Sequence, residues 1–174
     1  MSFAKCILIP TGLAVVGILA ATSLGVRLNV TPSVPTGLYL QHQVAPNPAR
    51  GQLVVACLDP AIEAVGQAIT RGYLPVGDCP GRIAPVLKPV VAVAGDRIEA
   101  TPAGITVNGE LLRGTVAREA DPQGRKLATP AQVYTVPAGS VLLLVNRNAS
   151  FDSRYFGPVP VNNIRAAARP LLLF

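Results

Sequence analysis

Apolar residues fall along this chain in three patterns. From Cys6 to Val26 they dominate one long run with no charge, flanked by Lys5 and Arg27. At ~1.5 Å per residue a helix over that run is roughly 30 Å long, enough to cross a bilayer core. The run predicts one N-terminal transmembrane helix, with residues 1–28 as the anchor and 29–174 as the domain beyond it. Pro10 falls in the first turns, where a helix tolerates it best. The rival reading is a cleaved secretory signal ending near Ala21-Thr22-Ser23. Such a signal has an apolar core of only ~7–15 residues behind a basic start, and here a single Lys precedes a longer run, which favours retention. Either reading places the domain outside the cytoplasm.

The second pattern is short alternating or continuous apolar stretches separated by turn residues, the mark of strands. It covers Leu38–Leu40, Gln52–Leu58, Val86–Val93, Arg97–Glu99, Gly104–Val107, Glu110–Leu112, Val133–Val136, Ser140–Val145 and Ile164–Phe174. Asn108-Gly109 predicts a tight hairpin between two of them. The third pattern occurs once. Ala61, Ile62, Val65, Ala68 and Ile69 recur at helical spacing, with Asp59-Pro60 as an expected start and Arg71-Gly72 as a stop. Gly77–Gly81 reads as a loop, and residues 114–131 as a polar surface excursion. The expectation is a mainly β, antiparallel domain carrying a small helical insertion over 59–80.

Composition changes this picture little. The formal charge of +6 raises nucleic acid as a partner, but the fifteen Lys and Arg are scattered and form no basic stripe interleaved with aromatics. Attraction to anionic lipid headgroups accounts for the charge better. Three cysteines are present. Cys6 lies in the apolar run, while Cys57 and Cys79 bracket the insertion. In an oxidising compartment Cys57 and Cys79 would form a bridge closing the insertion; the alternative is two buried free thiols. With His42 the one histidine, a metal site finds too few strong ligands, and no cofactor is expected.

The candidate chemistry lies in three separated stretches: Asn29-Val-Thr-Pro-Ser-Val-Pro-Thr-Gly37, Leu87-Lys88 through Gly95-Asp96, and Ser150-Phe-Asp-Ser-Arg-Tyr-Phe-Gly157. Ser33 stands between Pro32 and Val34-Pro35. By itself a serine there is a turn residue, and it becomes a nucleophile only if a neighbour takes its proton. His42 has no acidic residue near it in sequence to orient it. Lys88 lies in an apolar stretch, where it either faces outward from an edge strand or is buried with a lowered pKa and a function.

Together the three stretches resemble the signal peptidase I family of membrane-bound Ser/Lys proteases, and most closely its TraF-type branch, which processes conjugative pilin precursors. In that family the nucleophile closely follows the anchor and precedes a Pro; the base begins a strand that ends in Gly-Asp; a later box ends in Asp-Ser-Arg-Tyr-aromatic-Gly. The resemblance implies Ser33 as nucleophile, Lys88 as general base, and an oxyanion hole made by the Ser33 N–H and Thr31. It also implies supporting roles for Ser150, Asp152 and Arg154, with Ser150 hydrogen-bonding the lysine. The implied setting is a bacterial inner membrane with the catalytic domain in the periplasm. The implied partner is a membrane-embedded pilin precursor, whose acyl-enzyme can be captured by water or by the pilin's own amino terminus. Val34-Pro35 stands where typical signal peptidases have Met and a later Pro, which argues against general preprotein processing. A general type I signal peptidase and an inert anchored scaffold are the competing readings.

Overall fold

The computed structural model describes residues 23–129 and 132–174. The anchor expected over 1–28 therefore lies, up to position 22, outside the described residues; the chain is already a strand by Val26. Among the described residues no helix is long and apolar enough to cross a membrane. The described residues form two compact units, one of residues 23–42 with Ala168–Phe174, the other Gln43–Ala167.

In the first unit, β1 (Val26–Asn29) pairs antiparallel with β2 (Gly37–His42), so that Asn29 faces Gly37 across the turn that carries Ser33. The Pro-rich turn closes tightly because Tyr39 Oη donates to the Pro35 carbonyl at 2.6 Å. Gly37 is required by proximity: a Cβ there would lie 2.2 Å from the Leu172 carbonyl oxygen. Phe174 N–H donates to the Thr36 carbonyl at 3.1 Å, tying the end of the chain to the same turn.

In the second unit β3 (Leu53–Ala56), β5 (Val86–Val93), β10 (Ser140–Leu143) and β11 (Val159–Pro160) are successive neighbours in one sheet, all antiparallel. A smaller sheet has the order β8-β7-β6-β9, from Arg97–Thr101 (β6), Gly104–Val107 (β7), Glu110–Leu112 (β8) and Val133–Thr135 (β9). The expected hairpin joins β7 to β8, with Asn108 at φ 52° and Gly109 at φ 85°, the positive angles a two-residue turn needs. β12 (Ile164–Leu173) begins in this unit and ends in the first.

Two apolar clusters fill the second unit. Val54, Ala56, Val65, Val86, Val90, Val141, Leu143, Tyr155 and Phe156 belong to the larger. Ala92, Ile98, Ile105, Val107, Val136, Leu142 and Leu144 form the other. Alternate residues of the 141–144 stretch enter different clusters, which is why it reads as a continuous apolar run without polar alternation. Between the pairs Leu142–Ala92 and Leu143–Val90 the register of β10 against β5 shifts, leaving Val91 as the extra residue of a bulge.

The insertion carries α1 (Glu63–Thr70), which buries Ala64, Val65 and Ala68. It starts later than Asp59-Pro60 promised. Ile62 is extended at ψ 125°, and the Asp59 carboxylate instead accepts from Ala61 N–H at 2.9 Å, capping a separate turn. Arg71-Gly72 ends the helix as expected, Gly72 adopting φ 71°. The Gly77–Gly81 loop is partly ordered as β4 (Val76–Cys79), bridged to Ile83, and a 3-10 turn over Pro80–Arg82. Cys57 and Cys79 are joined in a disulfide. The 114–131 stretch, in its described part, is also more than a surface excursion. Thr115 is fully buried, its hydroxyl accepting from Ile105 N–H at 2.8 Å, and Ala117, Leu127 and Ala128 pack on the larger cluster. A chain without periodicity can still pack if its polar groups find local partners, as Asp121 does.

Candidate active site

Lys88 sits mid-strand in β5, opposite Val54 of β3, on the face that also carries Val86 and Val90. Alternation along the strand therefore directs the ammonium into the core, and Lys88 is only 3% exposed. Of the two readings open to an isolated lysine in an apolar stretch, the outward-facing one is excluded. Its Nζ donates to Ser150 Oγ at 2.7 Å. Burial pushes its pKa down to about 8; the Asp152 carboxylate opposes that shift and the Arg154 guanidinium reinforces it.

Ser150 and the two residues implied to support it arise from one local structure. Asp152 caps α2 (Ser153–Phe156), accepting from Arg154 N–H at 3.3 Å, and the helix ends at Gly157. The Arg154 side chain folds back along its own turn to give Nε and Nη2 to the two Asp152 oxygens at 2.7 and 2.9 Å. Both side chains are wholly excluded from solvent. The remaining donors are also used: Nη2 reaches the Val145 carbonyl at 2.8 Å, and Nη1 the Val116 and Gly114 carbonyls at 3.3 and 3.5 Å. Val145 N–H donates to Asp152 at 3.3 Å, and Leu143 N–H donates to Ser153 Oγ at 2.9 Å, which locks α2 to the end of β10. A buried ion pair is tolerated when its hydrogen-bonding capacity is filled in this way.

The Ser33 turn is held by a residue that the motifs do not single out. Asn29 is 9% exposed and its Nδ2 donates to the carbonyls of Thr31, Val34 and Pro35 at 2.9, 3.3 and 3.1 Å. Its Oδ1 accepts from Thr31 N–H at 3.2 Å and from the Thr31 hydroxyl at 2.7 Å. One amide thus fixes the backbone on both sides of Ser33, which is half-buried. The sequence signal for it is an Asn placed just before a Pro-rich turn, where its side chain can replace backbone partners. The Thr31 hydroxyl has one proton, and here it is directed at Asn29.

The structure therefore brings Lys88, Ser150, Asp152 and Arg154 together in the second unit, and Thr31 and Ser33 together in the first. His42 ends β2 and is exposed. Asp96 accepts from Val93 N–H at 2.8 Å, Asn108 Nδ2 at 2.9 Å and Arg50 Nε at 3.1 Å, so the Gly-Asp pair that closes β5 is a hydrogen-bonded corner.

Residues 1–172 match the family described as "Signal peptidase, peptidase S26". The chain belongs to the signal peptidase S26 family. Membership implies serine peptidase activity. Among the similar proteins of this family, a probable conjugal transfer protein TraF of Sinorhizobium fredii is 39% identical over 93% of this chain and 85% of its own length. A plasmid transfer protein TraF of Escherichia coli is 38% identical over 88% of this chain and 86% of its own. A conjugal transfer protein TraF of Agrobacterium fabrum is 36% identical over 96% and 91%. The crystal structure of a signal peptidase I from Enterococcus faecalis aligns with 72% of this chain and 98% of its own at 19% identity, with a TM-score of 0.38.

Proposed function

We propose that this chain is a membrane-anchored serine endopeptidase of conjugative transfer, with Ser33 as nucleophile and Lys88 as general base. Its substrate is a pilin precursor held in the same bilayer, and its catalytic domain works on the periplasmic side of the bacterial inner membrane. The observation that carries this reading is Lys88: a lysine buried in a core strand, hydrogen-bonded to Ser150, with its pKa brought down to about 8. A structural lysine has no need of that environment. A base near neutrality does, because it must be unprotonated often enough to accept a hydroxyl proton.

In the proposed reaction neutral Lys88 takes the proton from Ser33 Oγ as the oxygen attacks the scissile carbonyl. The Ser33 N–H meets the developing oxyanion. The Thr31 hydroxyl supplies the second donor once it turns from Asn29, and one such donor is typically worth ~10²-fold in rate. Collapse gives the leaving amine the proton held on Lys88 and leaves an acyl-enzyme, which water or an amine then resolves. An anchor shared with the substrate's membrane raises effective concentration at Ser33. The TraF relatives, named for conjugal and plasmid transfer, support a role in conjugative transfer.

The test is mass spectrometry of a candidate pilin precursor co-expressed in membranes with wild type, Ser33→Ala or Lys88→Ala. Loss of a C-terminal peptide with the wild type alone is expected, and a further loss of one water would mark ring closure. Equal processing by all three proteins would refute the dyad. Cleavage of a secretory preprotein with the pilin left intact would keep the enzyme and overturn the substrate.

A further inference from the structure

The proposed reaction leaves the disulfide-closed insertion without a task, yet the insertion reaches the group that orients the base. Phe151 lies between Ser150, which accepts from Lys88, and Asp152, whose charge acts on it. Its ring stacks flat on Tyr155, with centroids 5.8 Å apart and planes at 10°, and meets Phe156 edge-on at 5.4 Å. The remaining partner comes from the insertion: Tyr73 presents its ring to Phe151 at 6.4 Å and 62°. These are favourable aromatic geometries.

Tyr73 is itself held from several sides. Its hydroxyl donates to Asp121, which also receives Arg125 Nε at 2.6 Å. The Arg125 guanidinium lies 5.9 Å from the Tyr73 ring centroid. Arg71 Nη1 donates to the Lys126 carbonyl at 2.9 Å, and the disulfide ties the far end of the insertion to the residue after β3. Tyr73 N–H closes α1 on the Ala68 carbonyl at 2.9 Å. The ring is thus a fixed point against which the Phe151 ring packs.

We propose that Phe151 is a positioning residue for the Lys88 base, and that the insertion serves to hold it there through Tyr73. This rests on the reading of Lys88 as general base. The Ser150 backbone N–H makes a turn bond to the Arg147 carbonyl at 3.0 Å, and beyond Phe151 the chain is held by Asp152 through Arg154 and Val145, so the Phe151 ring is the contact that ties this segment to the insertion. If the Phe151 ring is removed, the Ser150 hydroxyl loses its fixed place and water reaches Lys88. Asp152 and Arg154 are the charged neighbours of the ammonium, and β3 presents Val54 opposite it. Hydration favours the protonated lysine, so the acid limb of activity moves to higher pH.

The experiment compares pH–rate profiles of the full-length chain in detergent micelles, with the candidate pilin precursor as substrate. The proteins are wild type, Phe151→Ala, Tyr73→Leu, Tyr73→Phe and Ser150→Ala. Phe151→Ala should move the acid limb up by about half a pH unit to one unit and lower kcat/KM at pH 7 by roughly three- to tenfold. Tyr73→Leu should shift the limb in the same direction by less. Tyr73→Phe keeps the ring and should keep the limb. Loss of folded enzyme alone lowers the rate at every pH without moving the limb, so the position of the limb separates positioning from stability. If Phe151→Ala does not fold, Tyr73→Leu decides. A limb that moves in Ser150→Ala but stays in place in Phe151→Ala and Tyr73→Leu overturns this inference and leaves the base assignment standing. A wild-type profile already flat at pH 6, with no limb to move, overturns both.

Discussion

Lys88 Nζ and Ser150 Oγ, 62 residues apart in sequence, meet at 2.7 Å inside the core of the second unit. Ser150 is 5% exposed, so neither group has ready water to replace the other. Substituting Ser150 by Ala should lower turnover by on the order of tenfold to a hundredfold, as expected for a lost hydrogen bond to a group that is charged in part of the cycle. Steady-state rates on the precursor check this.

The wild-type pH profile depends on the same burial. In the proposed reaction protonated Lys88 cannot accept the Ser33 proton, so kcat/KM should climb with pH and level off above about 8. A profile already flat at pH 6 would exclude Lys88 as the titrating base.

Stability should carry the same signature. The folded pKa of about 8 lies below the ~10.4 of an exposed lysine, so between those values the unfolded chain binds more protons. Stability therefore rises with pH over about 8 to 10, by about 2 kcal/mol. Beyond that range tyrosines work against it, since burial holds Tyr134 up at about 12 and the unfolded chain ionises first. In Lys88→Met the rise should vanish, which thermal melts across pH would reveal.

Asn29 makes a separate prediction about the nucleophile. Asn29→Asp keeps the acceptor for Thr31 and loses the donors to Thr31, Val34 and Pro35; Asn29→Ala loses both sets. Both should lower kcat, the alanine variant by up to ~10²-fold, since small misplacements of a reacting group have that effect. The acid limb should stay at its wild-type position, because the base is untouched.

Asp152 and the disulfide should govern folding. Asp152→Ala leaves Arg154 charged and wholly buried without its carboxylate, a loss of roughly 3–5 kcal/mol. Opening the Cys57–Cys79 bridge, whose cysteines are 22 residues apart, should cost on the order of 3 kcal/mol. Denaturant titrations of each variant measure both, and a bridge variant as stable as wild type would remove the insertion's claim to be a rigid support.

Much of the fold was legible because its signals are local. Short apolar stretches between turn residues marked β2, β5 and the β7–β8 hairpin, and Asn108-Gly109 marked the turn. The helix start was not legible: Asp59-Pro60 satisfies the local rule, but the backbone at Ile62 is extended and its side chain packs on the larger cluster. The described part of the 114–131 stretch departs from the expected surface excursion for a similar reason, its burial depending on Ile105, Tyr155 and the α1 region rather than on any pattern of its own.

The sequence by itself determined which residues are chemically able to act. Ser33 lies between prolines, Lys88 in an apolar stretch, and Ser150, Asp152 and Arg154 in one short box; it is their resemblance to the family's three motifs, in order and spacing, that singles them out. Only the tertiary structure decided what Lys88 is. Parity alone permits an outward edge lysine or an inward one, and that choice belongs to the neighbouring strands β3 and β10, to Ser150, and to the low dielectric they create together. Asn29 likewise gains its role only when the turn closes and three carbonyls converge on its amide. Burial and convergence are properties of contacts between distant residues, and no local pattern encodes them.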